Sequence, residues 1–318
     1  MAFTAVESVE SVDWRLRARR LVAGLVCALG VCTVKGVAAQ AAPSGAGTAL
    51  QRIQATGAVV IGHRESSLPM SYVANGTPMG YSVDICLQIA QALGRHLKLR
   101  DTRVEYRMVT SSSRFDAIEK GEVDLECGST TNTAARRQRV AFTIAHFIAS
   151  SRIVVQSDKP YARIEDLDGK TLASTAGTTN IDSLAREAAN KSVRVRIEPA
   201  KDHAEGFAWV VNGKVDGFAM DDVLLYGLRA SHTRPQDLKV IGKPMTIEPY
   251  AVAFERNNPE LKAVVDAELR RLIQTRELHR LYDKWFTQPI PPQGINLGMR
   301  MPHLLVDSLK FPSDYVPQ

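Results

Sequence analysis

Residues 170–191 read KTLASTAGTTNIDSLAREAANK, and this stretch decides the fold. Residues 170–174 have the composition of a short strand, Thr175-Ala176-Gly177-Thr178-Thr179 form a turn, and residues 181–191 place apolar side chains at helical spacing. A strand that breaks into a Gly/Thr turn and then a helix is the building unit of an α/β fold. The same unit recurs on both sides. Upstream, residues 58–61 predict a strand ending at Gly62-His63-Arg64, followed by a helix over 82–93 that Gly94 stops in the C′ position. Residues 104–109 predict a second strand, Ser111-Ser112-Ser113 offer N-caps for a helix over 114–120, and residues 123–127 predict a third strand running into Gly128-Ser129-Thr130-Thr131. Downstream come a strand over 193–197, a helix opened by Lys201-Asp202-His203, and a strand over 215–220 that ends at Asp221-Asp222. Helices over 259–273 and 278–285 precede a Pro-rich extension.

This order implies two lobes, each a mostly parallel sheet flanked by helices. Two crossover strands are expected near residues 149–153 and 247–252, so that residues 50–150 and 250–318 form one discontinuous lobe and 151–249 the other. Ligands of such sheets bind in the crevice outside the carboxyl ends of the strands. The positions there are Arg64, Ser111 with Arg114, Ser129 with Thr131, Thr175 with Thr178, His203 and Asp221, none of them apolar. Singly, each is an ordinary loop charge or helix cap. Their recurrence after successive strands is what marks a site.

Composition narrows the class. At 45% hydrophobic and 23% charged residues the chain is globular, and its net charge of +6 is not gathered into the dense basic stripe that nucleic-acid binding requires. The N-terminus is expected to be an export signal over residues 1–39. Arg15, Arg17, Arg19 and Arg20 precede an apolar run over 21–34, small residues follow, and cleavage is expected near Ala39 to Ala41, with a Pro/Gly/Ser linker over 40–49. The apolar run falls short of the ~20 residues of a spanning helix. Removing residues 1–39 takes away five basic and three acidic groups and leaves +4. Two cysteines then remain, Cys86 and Cys127, which an oxidising compartment could join or leave as buried thiols.

Together, several stretches resemble the extracytoplasmic solute-binding proteins of amino-acid ABC transporters, in particular the glutamate/aspartate-binding branch. They are Gly62-His63-Arg64-Glu65-Ser66-Ser67, Gly80-Tyr81-Ser82-Val83-Asp84, Glu126-Cys127-Gly128-Ser129-Thr130-Thr131-Asn132, Ala200-Lys201-Asp202-His203, Met220-Asp221-Asp222, and Lys284-Trp285-Phe286 through Pro289-Ile290-Pro291-Pro292. The resemblance runs from about Leu50 to Phe311. It implies a type II periplasmic binding fold and an exported monomer that hands its ligand to permease subunits. It also assigns roles. Arg136, Thr131, Ser129 and Thr178 would hold the ligand α-carboxylate, and Asp221 with Ser129 the α-ammonium. Arg64, Ser111, Arg114, His203 and Thr175 would face the side-chain carboxylate. A guanidinium suits a carboxylate bidentately, and the helix start at Thr178 offers free N–H groups to an anion. Of the acidic pair, Asp221 is expected to be the ligand contact and Asp222 the solvent-facing one. Arg64, Arg114 and a titratable His203 exceed what an amino acid's backbone needs, which points to an acidic side chain. Where the family pattern has Gln and Asn beside the first arginine site, this chain has Ser112-Ser113, which leaves glutamate against aspartate open.

Two other classes compete with this one. Some proteins of this fold are dehydratases, for which Glu65 or His203 could serve as acid or base, but no nucleophile elbow, phosphate loop or paired catalytic carboxylates appear. A sensory module would carry a long transmembrane helix and an output domain. No catalytic residue, cofactor or metal is expected, since no second His or Cys stands at ligand spacing from His203.

Overall fold

The computed structural model describes residues 47–316. The expected export signal over 1–39, its cleavage site and most of the linker lie outside them. The linker's last residues belong to the fold: Thr48 caps a helix, Ala49–Thr56, in a capping box with Gln51.

Two five-stranded sheets build two lobes. In the first, Arg103–Met108, Ala58–His63 and Leu125–Glu126 run parallel, Ala253–Phe254 pairs antiparallel to the last of them, and Ala141–Phe142 pairs antiparallel to Ala253–Phe254. In the second, Arg196–Ala200, Thr171–Thr175 and Gly217–Asp221 run parallel, and Ser151–Gln156 lies antiparallel between Gly217–Asp221 and Leu238–Ile241. Each lobe therefore places its second parallel strand at the edge, then its first, then its third, with one antiparallel strand and a final strand beyond. Between the sheets, Phe147–Ala149 and Glu248–Tyr250 pair antiparallel, with Glu248 opposite Ala149 and Tyr250 opposite Phe147. This ladder carries the chain from the first sheet to the second and back.

Packing explains why the distant motifs go together. The helix Tyr81–His96 buries Tyr81, Ile85, Cys86, Ile89 and Leu93 at helical spacing. Tyr282 and Phe286 from the helix Glu277–Phe286 stack at 4.3 Å, and Phe286 stacks on Phe147 of the crossover ladder at 5.2 Å. Asp84 accepts hydrogen bonds from Trp285 Nε1 at 2.7 Å and Lys284 Nζ at 2.6 Å, which brings the Gly80 and Lys284 stretches into one contact. Cys86 and Cys127 are joined in a disulfide that ties this helix to the end of the central strand Leu125–Glu126. For a closed loop of 41 residues the loop-closure argument gives about 4 kcal/mol of stabilisation. Cys86→Ala/Cys127→Ala is expected to lower unfolding free energy by about 2–4 kcal/mol, read by chemical denaturation.

Several local expectations change. Gly94 does not stop its helix, which continues to His96. A Cβ at Gly94 would sit 1.7 Å from Thr102 Oγ1, so the glycine is there for close packing. Ser113 is the N-cap of Arg114–Glu119 but makes no capping bond, because its hydroxyl pairs with Thr110 instead. The strand predicted over 193–197 is shifted to Arg196–Ala200. The Pro-rich extension contains a helix, His303–Lys310, that buries Leu305 and Leu309. Among the described residues, no helix is long and apolar enough to cross a membrane.

Candidate functional site

Where the two lobes face each other, Ser111, Arg114, Ser129, Thr131 and Arg136 from the first and Thr178, Thr179, His203, Met220 and Asp221 from the second line a narrow, closed-down cavity. Each side chain is delivered by a strand end or a helix start. Ser129 and Thr131 follow the central strand of the first sheet, and Thr131 is bridged to Tyr250 of the crossover ladder. Arg136 opens a short 3-10 turn, and its Nη1 donates to the Thr131 carbonyl at 2.8 Å, which anchors the guanidinium over the strand end. Arg114 is the first residue of its helix and is buried, an unusual place for a cation.

In the second lobe, Thr178 is the N-cap of Thr179–Asn190 in extended conformation. Its hydroxyl donates to the Thr175 carbonyl at 2.7 Å instead of capping, so the first turn of that helix keeps its own N–H groups for another acceptor. Asp202 caps the helix His203–Val211 by accepting from the Glu205 N–H at 2.8 Å, which places His203 at the first helical position and not directly after the strand. Asp221 ends the strand Gly217–Asp221 and is held from two sides. Asn180 Nδ2 donates to Oδ1 at 3.1 Å and the Tyr250 hydroxyl donates to Oδ2 at 2.5 Å. Its neighbour Asp222 does not simply face solvent. It accepts from the Ser150 N–H at 3.1 Å and the Val223 N–H at 2.7 Å and so fixes the entry of the chain into the second lobe.

The lobes touch directly at the rim. Arg114 Nη2 and Arg136 Nη2 both donate to the Gly177 carbonyl at 3.3 Å, and Ser112 Oγ donates to the Ala176 carbonyl at 3.3 Å.

Electrostatics sort the charged groups. Burial lowers Arg136 to about 9 and Arg64 to about 10, with Arg114 pressing both down further, and Arg114 itself is lowered by burial; at neutral pH all three are cations. Burial, with Arg64 and Arg114 nearby, holds His203 well below its usual value, so the imidazole is neutral rather than a third positive charge. Its Nδ1 lies 2.8 Å from Thr175 Oγ1, and its Nε2 has no partner among the described residues. Burial and Glu248 raise Asp221 to about 7, while the hydrogen bonds from Tyr250 and Asn180 pull it back.

Two of the expected contacts are therefore not in the cavity wall. Arg64 stands behind it, with Nη2 donating to Ser111 Oγ at 2.5 Å, and Thr175 stands behind His203. Arg64 follows one strand and Thr175 ends another, which is why ligand contact is expected of them; here they hold Ser111 and His203. Conversely, Thr179 and Met220 line the wall, and Asn180, Glu248 and Tyr250 support Asp221 and Thr179. The tandem Thr178-Thr179 is a legible signal for the first. Nothing local marks Tyr250, which reaches Asp221 from 29 residues away. Among the described residues no group of three or more His, Cys, Asp or Glu is placed to hold a metal ion.

Over residues 59–288 the chain matches the family of bacterial extracellular solute-binding proteins, family 3. It is 38% identical to an L-glutamate/L-aspartate-binding protein of Pseudomonas aeruginosa over 83% of this chain and 88% of that one. It is 32% identical to the glutamate/aspartate import solute-binding protein of Escherichia coli over 91% and 96%. Among solved structures, an ancestral arginine-binding protein bound to glutamine superposes with a TM-score of 0.65 at 24% identity, covering 72% of this chain and 98% of that one. An ancestral amino-acid-binding protein described as a precursor of cyclohexadienyl dehydratase superposes with 0.63 at 25% identity, covering 75% and 99%. The fold is that of type II periplasmic binding proteins, and the chain belongs to the bacterial extracellular solute-binding proteins, family 3.

Proposed function

We propose that this protein captures glutamate or aspartate between its two lobes in the periplasm and, as a monomer released from a cleaved export signal, delivers it to the permease subunits of an ABC transporter for uptake. The observation that carries the reading is the charge of the cavity wall. It holds Arg136 and Asp221, which answer the carboxylate and ammonium common to all amino acids, and one further buried cation, Arg114. A neutral side chain would leave Arg114 desolvated and unpaired, at a cost of several kcal/mol. An anionic side chain removes that cost.

In this arrangement the α-carboxylate lies against Arg136, Ser129, Thr131 and the helix start at Thr178, and the ammonium lies against Asp221 and Ser129. The side-chain carboxylate lies against Arg114, Ser111 and the Nε2–H of a neutral His203 whose Nδ1 accepts from Thr175. Arg64 and Thr175 then act by orienting Ser111 and His203. A ligand touching both walls favours the closed arrangement, and the crossover ladder is the hinge about which closure occurs.

The protein is read as a carrier and not an enzyme. The carboxylate in the wall, Asp221, already accepts from Tyr250 and Asn180, so it is fixed as an acceptor for the ammonium. The names of the 38% and 32% identical relatives support the ligand class. Titration calorimetry of the exported form against an amino-acid panel tests it. Glutamate and aspartate should bind at least about a hundredfold more tightly than glutamine, asparagine and the aliphatic residues, the advantage of pairing a buried cation. Equal affinity for the neutral residues would overturn the assignment.

A further inference from the structure

Behind the wall lies a group that the ligand contacts do not use. Glu126, on the central strand of the first sheet, is fully buried, and neither carboxylate oxygen has a hydrogen-bond partner among the described residues. Isolated buried carboxylates are costly, so one that persists without hydrogen bonds needs a compensating charge. The side chain of Arg64 runs beside it. A Cβ at Gly128 would come 2.4 Å from Glu126 Oε1 and 2.9 Å from Arg64 Cγ, so the glycine is what lets the acid and the arginine share one space. Arg64 is buried, spends Nη2 on Ser111, and leaves Nη1 without a partner among the described residues. Arg114 is buried as well, with Nε likewise unpartnered among them. Glu126 favours the charged state of both arginines, and of Arg136.

In the wall, Arg114 and Arg136 face one carboxyl, Asp221, which is raised to about 7, so the field a ligand meets is positive. Behind the wall stand two buried carboxylates, Glu248, which accepts from Thr179, and Glu126 beside the stem of Arg64, while His203 is neutral. Glutamate and aspartate at neutral pH carry one net negative charge, neutral amino acids none, and dicarboxylates without an amine two.

We propose that Glu126 is the charge-setting residue of this site. Its negative charge, buried beside Arg64, lowers the positive field that a ligand meets and so favours a mono-anionic amino acid over a dianionic dicarboxylate. This rests on the acidic-amino-acid reading above. It goes beyond it by naming what excludes ligands that satisfy both arginines but lack the ammonium.

Glu126→Gln keeps the side-chain shape and removes the charge. Calorimetry with three probes of increasing charge, glutamine, glutamate and glutarate, should show glutamine unchanged. Glutamate should tighten by on the order of tenfold and glutarate by on the order of tenfold for each of its two charges, the scale of one buried charge acting across a protein interior. Arg64→Gln should show the same order with the opposite sign, and Arg64→Gln/Glu126→Gln should return the glutarate-to-glutamate ratio to that of the unaltered protein. A uniform change across the three probes would mean that Glu126 only supports the packing, and the proposal fails. If Glu126→Gln alone does not fold, the step from Arg64→Gln to the double variant removes the same charge and must show the same dependence on ligand charge. If the unaltered protein does not bind glutamate, the functional reading fails first. If it binds glutamate and the ratios do not move, this inference alone fails.

Discussion

Arg136→Ala is expected to weaken glutamate, aspartate and glutamine alike, by about 3 kcal/mol or more, whereas Arg114→Ala weakens the acidic ligands and spares glutamine. Arg136 is anchored by the Thr131 carbonyl and reaches toward the helix start at Thr178, where the proposed arrangement puts the α-carboxylate. Its loss leaves that carboxylate to the hydroxyls of Ser129 and Thr131 and the helix start, without a counter-charge, whatever the side chain. Asp221→Ala belongs to the same class, because the ammonium is equally common to all amino acids. It also strands the Tyr250 hydroxyl and Asn180 amide that now donate to it. Arg114 differs. In Arg114→Ala the selectivity for glutamate over glutamine should collapse by two orders of magnitude or so, since an anion and an amide then meet a similar wall. A calorimetric panel on the three variants reads all of this. Parallel losses for every ligand in Arg114→Ala would sink the division of labour.

The second large effect concerns Gly177. Its φ of +76° lies in the left-handed region, and a Cβ there would stand 2.8 Å from the Ser111 carbonyl oxygen and 3.0 Å from Ser112 Cα, across the cleft. The conformational cost of an L-residue at this φ, about 1–2 kcal/mol, falls on the second lobe whether the cleft is open or closed. The clash falls only on the closed arrangement, because Ser111 and Ser112 belong to the other lobe. Gly177→Ala should therefore lower unfolding free energy by about 1–2 kcal/mol yet weaken glutamate by more than tenfold, since the Gly177 carbonyl that Arg114 and Arg136 both reach can no longer approach. Small-angle scattering with saturating ligand separates the two effects. A variant that contracts as the unaltered protein does, with the same affinity, would refute a closure role for this glycine.

Much of this site is legible in the local order of residues. A strand end that breaks into Gly, Ser or Thr and then a helix is a local pattern, and with the family resemblance it locates Ser111, Arg114, Ser129, Thr131, Arg136, Thr178, His203 and Asp221, all of which line the cavity. It does not give the depth of Arg64 and Thr175, because strand-end position marks the sheet edge alone. Arg64 is long enough to run back under Ser111, and the side chain of Thr175 turns toward the ring of His203. The Gly94 stop fails for a related reason: glycine at a helix end and glycine under a crossing chain look the same in one dimension, and only Thr102 tells them apart.

What the sequence determined by itself is the alternation of strands and helices, the two-lobed class and the polar character of every strand end, because these follow from side-chain periodicity and turn chemistry within a few residues. What only the tertiary structure decided is the charge that a ligand meets. Sequence counting yields Arg64, Arg114 and a titratable His203 as the cationic surplus. In the fold, burial beside two arginines neutralises His203, and Arg64 stands behind Ser111 with the buried Glu126 in the space that Gly128 leaves beside its stem. Arg114 is the wall's cation beyond the one that an α-carboxylate needs. Desolvation and Coulomb interaction depend on depth and on neighbours distant in the chain, and neither is written in local order.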